Sequence, residues 1–370
     1  MAVFDVGGKP VGDGQPVFIV AECGINHNGE LGTAIEMIDA AAAAGADAVK
    51  FQLFRAAGMY TPRAGKYKTA KGEMVPIYEL MEEVELPLEW LPDLSAACRK
   101  ADIKFIMTVC DEWCVRQMEQ ADFDCYKVAS YEISHVPMLI ELALHDKPII
   151  ISSGAANISD VVRALEWLSP DGTRPIGTLQ CEAQYPADPK SLNLNVIETY
   201  RRLFPNVIPG FSDHTSDPVE APVQSVYHGA RIVEKHTTLD RTQPGADHIF
   251  ALEPAQLAQM VSAIREAEAE LATGVEPEID EALAGDGVRR MAENEKTLRD
   301  FAYRGIFTIA PIKAGDVLTA ENIRVLRPGE LAQGMHPRYY PLLCSGNYRA
   351  TRDVEQWTGL DWDDVLVAAR

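Results

Sequence analysis

The first 270 residues alternate short apolar runs, rich in β-branched residues, with longer segments of helical periodicity. The apolar runs predict strands at 17–21, 47–52, 103–108, 125–130, 148–152, 176–180, 207–211 and 231–235. A helix-like segment follows nearly every strand, for example at 31–45, 88–101 and 158–168. Eight strand–helix units in about 250 residues predict a (β/α)8 TIM barrel. An open doubly wound sheet is the alternative, although no GxGxxG sequence follows the first strand to favour it.

The pattern changes after residue 271. Residues 272–304 begin polar and acidic and end with helical character, which is typical of a linker. From residue 305 onward, short strand-like runs such as "GIFTIAPI" and "NIRVLRP" are interrupted by the turn sequences "KAGD" and "RPGE". We therefore predict a barrel domain at 1–271, a linker at 272–304 and a small β-rich domain at 305–370.

The composition indicates a soluble globular protein, with 47% apolar and 24% charged residues. The N-terminus does not resemble a signal peptide, and no apolar run approaches the roughly 20 residues that span a bilayer, so no membrane is expected. Seven scattered cysteines without a CxxC pair favour reduced thiols and a cytoplasmic location. The formal charge of −21 argues against nucleic acid, but it leaves room for a locally basic pocket that binds a small anion.

Polar side chains occur at the C-terminal ends of almost all predicted strands, which is where barrel enzymes carry their chemistry. A single lysine at a strand end is usually a solvated or ion-paired residue, but lysines together with several hydroxyl groups suit a bound phosphate and carboxylate. These residues are Glu22, Lys50, Gln52, Thr108, Lys127, Ser130, Glu132, Ser152, Ser153, Ser212, Asp213, His214, Glu234 and His236.

Two short stretches, "GFSDHT" at 210–215 and "IVEKHTTLD" at 232–240, each carry a histidine beside a carboxylate. Two histidines and a carboxylate from neighbouring strand ends can hold a divalent metal with positions open for water or substrate. Two histidines 22 residues apart are by themselves weak evidence for a metal site, but their predicted position at neighbouring strand ends of a barrel strengthens that evidence. We interpret His214 and His236 as the pair and Asp213 as a supporting residue, and the role of Glu234 stays open.

Several longer stretches resemble, in order along the chain, the sialic acid synthase (N-acetylneuraminate synthase) family. They are "FIVAECGINHNGELGTAIEMIDAAAAAGADAVKFQ", "YKVASYEI", "KPIIISSGA", "GFSDHT", "VEKHTTLDR" and "PGADHIFALEP". The later stretch "IKAGDVLTAENIRVLRPG" is similar to the antifreeze-like (SAF) domain that follows the barrel in that family. The resemblance implies condensation of phosphoenolpyruvate with an N-acetylated hexose, which gives a nine-carbon 2-keto acid and phosphate.

The resemblance also implies roles for particular residues. Phosphoenolpyruvate would be bound by Lys50, Thr108, Lys127, Ser130, Ser152 and Ser212. His214 and His236 would ligate Mn²⁺ or Mg²⁺, which can polarise the sugar aldehyde. The sugar or its reacting end would face Glu22, Gln52, Tyr185 and Asp247, and either Glu22 or Glu132 would transfer the proton. In the family, an arginine of the antifreeze-like domain enters the partner's barrel; Arg327 matches it, which implies a domain-swapped homodimer.

Some positions depart from the family pattern. The family usually has a sequence close to "CTSEYP" after the sixth strand, whereas this chain has "CEAQYP" at 181–186. Ala183 replaces a small donor, and Glu182 adds a carboxylate whose charge weakens phosphate binding unless its side chain turns away. These changes favour an acceptor other than N-acetylmannosamine, such as a diacetamido-hexose or an unusual sugar of a specialised natural-product pathway. The alternatives are a non-catalytic relative that binds sugar or phosphate, and a metal-dependent aldolase that uses pyruvate.

Overall fold

The computed structural model describes residues 2–68, 72–245 and 247–367. The strands are β1 Val3–Val6, β2 Lys9–Gly12, β3 Phe18–Gly24, β4 Ala48–Leu53, β5 Lys66–Lys68, β6 Met74–Pro76, β7 Lys104–Val109, β8 Cys125–Val128, β9 Ile149–Ser152, β10 Ile176–Cys181, β11 Val207–Asp213, β12 Ile232–His236, β13 Gly305–Thr308, β14 Ile323–Leu326, β15 Tyr348–Ala350 and β16 Val365–Val367. The α-helices are α1 Leu31–Ala43, α2 Ala56–Met59, α3 Ile77–Glu83, α4 Leu91–Lys100, α5 Glu112–Met118, α6 Val136–Ala143, α7 Ile158–Leu168, α8 Asn195–Leu203, α9 Glu220–Tyr227, α10 Pro254–Ala272, α11 Glu281–Ala284, α12 Lys296–Ala302 and α13 Tyr340–Leu343.

Eight parallel strands close into a barrel in the order β3, β4, β7, β8, β9, β10, β11 and β12. The last strand pairs with the first, with His236 opposite Glu22, so the sheet has no open edge. This closure confirms the predicted (β/α)8 barrel and shows that the open-sheet alternative is wrong. Each predicted strand overlaps an observed one, and the 158–168 helix is observed with those bounds. β8 is shorter than predicted, because the chain turns into a 3₁₀ helix at Ser130.

The barrel strands are apolar on both faces because one face meets the helices and the other fills the barrel. The interior layer includes Phe18, Ile106 and Ile150, which pack with Val6 and Val11 from the β1–β2 hairpin. This hairpin was not predicted from the sequence. It lies against the N-terminal end of the barrel and fills that end, so the open space inside the barrel lies at the C-terminal end.

A second unpredicted feature lies over the C-terminal end of the barrel. The antiparallel strands β5 and β6 lead into α3, and we call these three elements the flap. Its Ile77 packs in a separate apolar cluster with Phe54, Met59 and Tyr60 from the chain that follows β4. In the described parts of the chain, no helix is both long and apolar enough to cross a membrane.

The chain after the barrel has two stretches that we name for use below. The connecting segment, residues 273–304, follows the end of α10 at Ala272 and contains α11 and α12. The C-terminal segment, residues 305–367, pairs β13 with β14 and β15 with β16, and it has an apolar cluster of its own. The division into a barrel domain 1–271, a linker 272–304 and a third domain 305–370 stays a prediction.

Candidate active site

A cavity of about 570 Å³ opens at the C-terminal end of the barrel. The ends of neighbouring parallel strands meet there, which brings together residues that are far apart in sequence. The predicted site residues that line it are Glu22, Lys50, Gln52, Lys127, Ser130, Glu132, Ser152, Tyr185, Ser212, His214, His236, Asp247 and Arg327. Thr108 lies just outside this lining, where its Oγ1 accepts a hydrogen bond of 3.1 Å from Lys50 Nζ.

Two buried lysines form one side of the cavity. Lys50 Nζ lies 2.8 Å from Glu22 Oε2, and Lys127 Nζ donates to Ser152 Oγ at 2.7 Å. Glu234 lies between them, with its Oε1 at 3.6 Å from Lys50 Nζ and 3.8 Å from Lys127 Nζ. Ser212 Oγ donates to the same carboxylate oxygen at 3.0 Å. Glu234, whose role the sequence left open, is therefore a central residue of the site.

A signal for the placement of Glu234 is present in the sequence. Side chains of a strand alternate between its two faces, so Glu234 and His236 share the inward face of β12 while Lys235 points outward. The outward Lys235 forms an ion pair with Asp213, the outward residue of β11, and donates to Thr215 O at 2.7 Å. Asp213 is therefore directed away from the cavity, as expected for a supporting residue.

The charges of this lysine side are mutually balanced. Burial works against the charge of Lys50, but Glu22 and Glu234 raise its pKa. Burial lowers the pKa of Lys127, and the charge of Glu234 offsets part of that effect. Burial would raise the pKa of Glu234, but the charges of Lys127 and Lys50 lower it. An anionic ligand in the cavity could therefore replace these carboxylates as the partner of both lysines.

Two histidines form another side of the cavity, with ring centroids 5.4 Å apart. His214 Nδ1 lies 2.7 Å from the carbonyl oxygen of Glu182. If Nδ1 carries the proton and donates to that oxygen, Nε2 keeps the lone pair that can bind a metal ion. His236 Nδ1 is buried and has no hydrogen-bond partner among the described residues, although Asp247 Oδ2 lies 3.8 Å away. Burial lowers the pKa of both rings, and metal ligation requires neutral imidazole. These residues therefore fit a divalent ion.

The surroundings of the histidines are aromatic and acidic. The Tyr185 ring lies 4.3 Å from His214, and the Phe250 ring lies 5.0 Å from His236, measured between ring centroids. Burial, with the nearby charge of Glu22, raises the pKa of Asp247 to about 6. In the described chain, three potential metal ligands also meet at Glu119, Glu141 and His145, which do not line this cavity.

The departures at "CEAQYP" have a structural explanation. Glu182 is buried but does not line the cavity, so its carboxyl group does not face the open space there. Burial, followed by repulsion from Glu295, raises the pKa of Glu182 to about 7. The backbone N–H of Ala183 donates to Glu295 Oε1 at 2.7 Å, so the connecting segment contacts this altered loop directly.

Two arginines share the carboxylate of Glu132. Arg327 Nη2 donates to Glu132 Oε1 at 2.6 Å, and Arg304 Nη2 donates to the same oxygen at 3.2 Å. Arg304 was not predicted from the sequence, because "AYRG" has no feature that separates it from a surface residue. Arg327 also lies beside Tyr60, with its Nη1 3.4 Å from the hydroxyl oxygen.

Arg327 lines the cavity at the C-terminal end of the barrel. Its backbone N–H donates to Met59 O at 2.7 Å, which fixes β14's end beside the chain that follows β4. The domain-swapped homodimer that the resemblance implied stays a prediction.

Comparisons with known proteins place this geometry in a family. The sequence matches the NeuB family over residues 37–276. It is 47% identical over 367 residues to the spore coat polysaccharide biosynthesis protein SpsE of Bacillus subtilis, covering 99% of this chain and 98% of that protein. It is 32% identical to an N,N'-diacetyllegionaminic acid synthase of Legionella pneumophila, covering 96% and 97% of the two chains. The crystal structure of B. subtilis SpsE superposes with a TM-score of 0.89 at 45% identity, covering 100% of both chains.

Proposed function

The chain belongs to the NeuB family, and from that premise we propose that its cavity condenses phosphoenolpyruvate with an unphosphorylated, N-acetylated amino sugar. At the level of the family, the enzyme is a phosphoenolpyruvate-dependent, C–C bond-forming transferase whose products are a sialic acid-like 2-keto acid and phosphate. The observation that carries the proposal is that one cavity has two buried lysines on one side and two buried histidines on another.

The lysine side is the proposed phosphoenolpyruvate site. Lys50 and Lys127 pair with its carboxylate and phosphate, while the hydroxyl groups of Ser130, Ser152 and Ser212 donate hydrogen bonds and Thr108 supports Lys50. Binding in this fixed orientation holds C3 of phosphoenolpyruvate against the sugar aldehyde, which is a positioning contribution to the rate. Before the substrate binds, the negative charge of Glu234 between the two lysines reduces the repulsion between their ammonium groups.

The histidine side is the proposed metal site, and the family's catalysis is metal-dependent in general. His214 and His236 would hold a divalent ion, Mn²⁺ or Mg²⁺, which when bound would supply Lewis-acid polarisation of the sugar's aldehyde oxygen. The carbonyl of Glu182 orients His214, and Tyr185 and Phe250 fix the ring planes by packing. Gln52 and Asp247 contact the sugar near its reacting end.

Glu22 is the proposed proton carrier. Attack by C3 of phosphoenolpyruvate on the aldehyde carbon leaves positive charge at C2, and water adds there. One proton of that water is lost as the aldehyde oxygen gains one. The tetrahedral intermediate then breaks its C2–O bond to phosphate, and the remaining hydroxyl proton leaves with the phosphate to give the 2-keto group. Glu22 lines the cavity, accepts from Gln52 Nε2 at 2.6 Å and has a pKa that burial raises, which makes it a better proton donor than an exposed glutamate. Glu132 Oε1 is held by two guanidinium groups, so we assign Glu132 to the positioning of Arg327.

The far end of the cavity supports the choice of acceptor. Its wall is mostly apolar and is built by the flap, α12 and the chain after β4, from Phe54, Met74, Ile77, Leu80, Met81 and Phe301. Methyl groups of acetamido or deoxy substituents gain by contact with such a wall, whereas a sugar phosphate needs a buried cation. The lysines there, Lys66 and Lys68, are exposed, and Arg327 is paired with Glu132. A diacetamido-hexose, as in legionaminic-type acids, fits this end best.

We also propose that the three predicted parts of the chain are the barrel domain at 1–271, the linker at 272–304 and an antiparallel antifreeze-like domain at 305–370. Support comes from the end of α10 at Ala272, the start of β13 at Gly305 and the separate apolar cluster of the C-terminal segment. Limited proteolysis followed by mass spectrometry checks the boundaries, because cleavage within 305–350 before the connecting segment opens contradicts them.

The experiment that tests the function is product identification by mass spectrometry. The protein is incubated with phosphoenolpyruvate, Mn²⁺ or Mg²⁺, and a panel containing N-acetylmannosamine, its 6-phosphate and a 2,4-diacetamido-6-deoxyhexose. We expect phosphate release and a nonulosonic acid from the diacetamido sugar. At a phosphoenolpyruvate concentration below the wild-type KM, we expect much less product from Lys127→Met and unchanged product from Lys313→Met, whose side chain is 73% exposed. Preference for the 6-phosphate contradicts the acceptor assignment. Ligand binding without turnover across the panel indicates the non-catalytic alternative, and turnover with pyruvate indicates an aldolase.

A further inference from the structure

A short basic stretch of the flap interrupts a chain that is acidic as a whole. The protein has 34 lysines and arginines against 55 aspartates and glutamates, which gives a formal charge of −21. Residues 61–72, "TPRAGKYKTAKG", nevertheless contain four basic residues and no acidic one. Two of these, Lys66 and Lys68, lie on β5 and line the cavity, and both are exposed to solvent. Of the other two, Arg63 is exposed outside the lining, and Lys71 lies outside the described residues.

The local structure places both lysines on the same side of the flap. Lys66 and Lys68 are two residues apart on a strand, so their side chains share one face, and Tyr67 between them points to the other. Tyr67 packs against the apolar cluster that the flap forms with the chain after β4. The pairing of β5 with β6 and a hydrogen bond of 3.1 Å from Ile77 N–H to Gly65 O hold the strand in place. The positions of the two lysines are therefore fixed by the fold of the flap.

The acidic residues of the flap helix lie elsewhere. α3 turns apolar side chains to the cavity, and its three glutamates are exposed and do not line the cavity. These glutamates are Glu79, Glu82 and Glu83. The flap therefore separates its charges, with lysines at the opening of the cavity and glutamates on its outer surface.

The lysines of the flap differ from those inside the cavity in having no partner. The side chains of Lys66 and Lys68 form no hydrogen bond or ion pair with any residue of the described chain. Lys50 and Lys127 are buried and lie close to carboxylates. Because paired charges of opposite sign largely cancel at a distance, the buried lysines attract an anion in solution only weakly. The unpaired lysines of the flap act over the Debye length, about 10 Å at 0.1 M salt.

The acidic groups of the lining do not cancel this charge at the opening. Three of them are paired with buried lysines or arginines, namely Glu22, Glu132 and Glu234. Asp247 lies on the histidine side, 3.8 Å from His236 Nδ1, and burial raises its pKa to about 6. Glu330 is exposed in the lining. The unpaired charges at the opening are therefore two lysines and one glutamate.

From this arrangement we infer that Lys66 and Lys68 form a capture surface, which attracts phosphoenolpyruvate from solution to the opening of the cavity. The inference rests on the proposed function for the identity of the anion. Phosphoenolpyruvate carries a carboxylate and a phosphate, whereas the proposed acceptor sugar is uncharged. The capture surface therefore acts on one substrate and not on the other.

Capture at a distance suits these lysines better than direct binding. An exposed ammonium group is strongly hydrated and sits on a flexible stem, and an exposed ion pair contributes little to stability. A locally positive opening nevertheless raises the local concentration of an anion and its association rate. This matters in a protein of charge −21, because the rest of its surface repels the same anion.

A series of flap charges tests the inference. The pairs Lys66→Gln/Lys68→Gln and Lys66→Glu/Lys68→Glu remove two and four units of positive charge. We expect the Gln pair to lower kcat/KM for phosphoenolpyruvate by about 3- to 10-fold at roughly 10 mM salt and by less than about twofold at 0.5 M. The Glu pair should lower it by a similar factor again. The value of kcat and the KM for the sugar should stay unchanged in both pairs.

Two control pairs separate the position of the charge from its amount. Lys100→Gln/Lys313→Gln removes the same two charges outside the cavity lining, and Lys100 lies in the last turn of α4. We expect this pair to keep the wild-type kcat/KM. Lys66→Arg/Lys68→Arg keeps the flap charge, and we expect most of the wild-type value and its salt dependence. The inference is overturned by an equal loss in the Lys100 and Lys313 pair, by a loss that persists at 0.5 M salt, or by a raised KM for the sugar.

A binding measurement tests the same idea without turnover. Isothermal titration with phosphoenolpyruvate and Mn²⁺, in the absence of sugar, gives Kd across the same range of salt. We expect log Kd to rise less steeply with log salt concentration in the Gln pair than in the wild type. Equal slopes overturn the inference. Binding with the expected salt dependence, but without product from any sugar, contradicts only the proposed function.

Discussion

Replacing Glu132 by glutamine removes a negative charge that lies between two guanidinium groups in the interior. The side chains of Glu132 and Arg304 are 0% exposed, and that of Arg327 is 10% exposed. A buried ion pair that loses one partner typically loses about 3–5 kcal/mol of stability, because the remaining charge stays desolvated. Glutamine keeps one acceptor oxygen for the arginines, so we expect Glu132→Gln to lower the free energy of unfolding by about 3 kcal/mol, the lower end of that range.

Urea unfolding followed by tryptophan fluorescence measures this loss as a shift in the midpoint at a constant slope. Asp300→Asn is the matched control, because Asp300 pairs with Lys296 on α12 and both side chains are more than half exposed. We expect that control to lose less than about 1 kcal/mol. Arg304→Gln should lower the free energy of unfolding by less in the Glu132→Gln background than in the wild type, because the two residues share one contact. The reasoning is refuted if Glu132→Gln is no less stable than Asp300→Asn.

Three further predictions concern substrate binding, the connecting segment and acid stability. Lys127→Met should raise the KM for phosphoenolpyruvate by about 10- to 100-fold, since a charge-assisted hydrogen bond is lost; steady-state kinetics with an unchanged KM would contradict this. Glu295→Gln should lower the free energy of unfolding by about 1–3 kcal/mol, because an amide N–H₂ replaces one acceptor oxygen that faces backbone donors, and urea unfolding measures it. Burial lowers the pKa of His27 from 6.5 to about 4, so the folded state binds fewer protons than the unfolded chain. The contribution of His27 to the free energy of unfolding, at most about 3 kcal/mol, is present above pH 6.5 and lost as the pH falls to 4. His27→Asn should therefore flatten the plot of unfolding free energy against pH between these values, and an unchanged slope would contradict the lowered pKa of His27.

The barrel and most of its site could be predicted because both follow from local patterns. Runs of β-branched residues followed by helical periodicity define a strand–helix unit, and closure of such units brings the C-terminal strand ends together. The alternation within "IVEKH" even separates inward Glu234 and His236 from outward Lys235. The site residues at the strand ends could therefore be predicted from the sequence. The central role of Glu234 could also have been predicted, because Glu234 lies opposite Ser212 in the pairing of β11 with β12.

Other features depend on contacts between residues far apart in sequence. Nothing in "AYRG" or "AENEK" distinguishes Arg304 or Glu295 from exposed charges, and each acquires its role only when its chain segment lies against the barrel. The same holds for the β1–β2 hairpin, whose short strands have no long periodic pattern.

The sequence by itself determined the fold, the two lysines, the histidine pair and the family, because each is encoded within a strand or at its end. Only the tertiary structure decided that Glu132 binds two arginines and that Glu182 turns away from the cavity. The physical reason is that burial and charge pairing depend on which distant segments meet, and those contacts exist only in the folded chain.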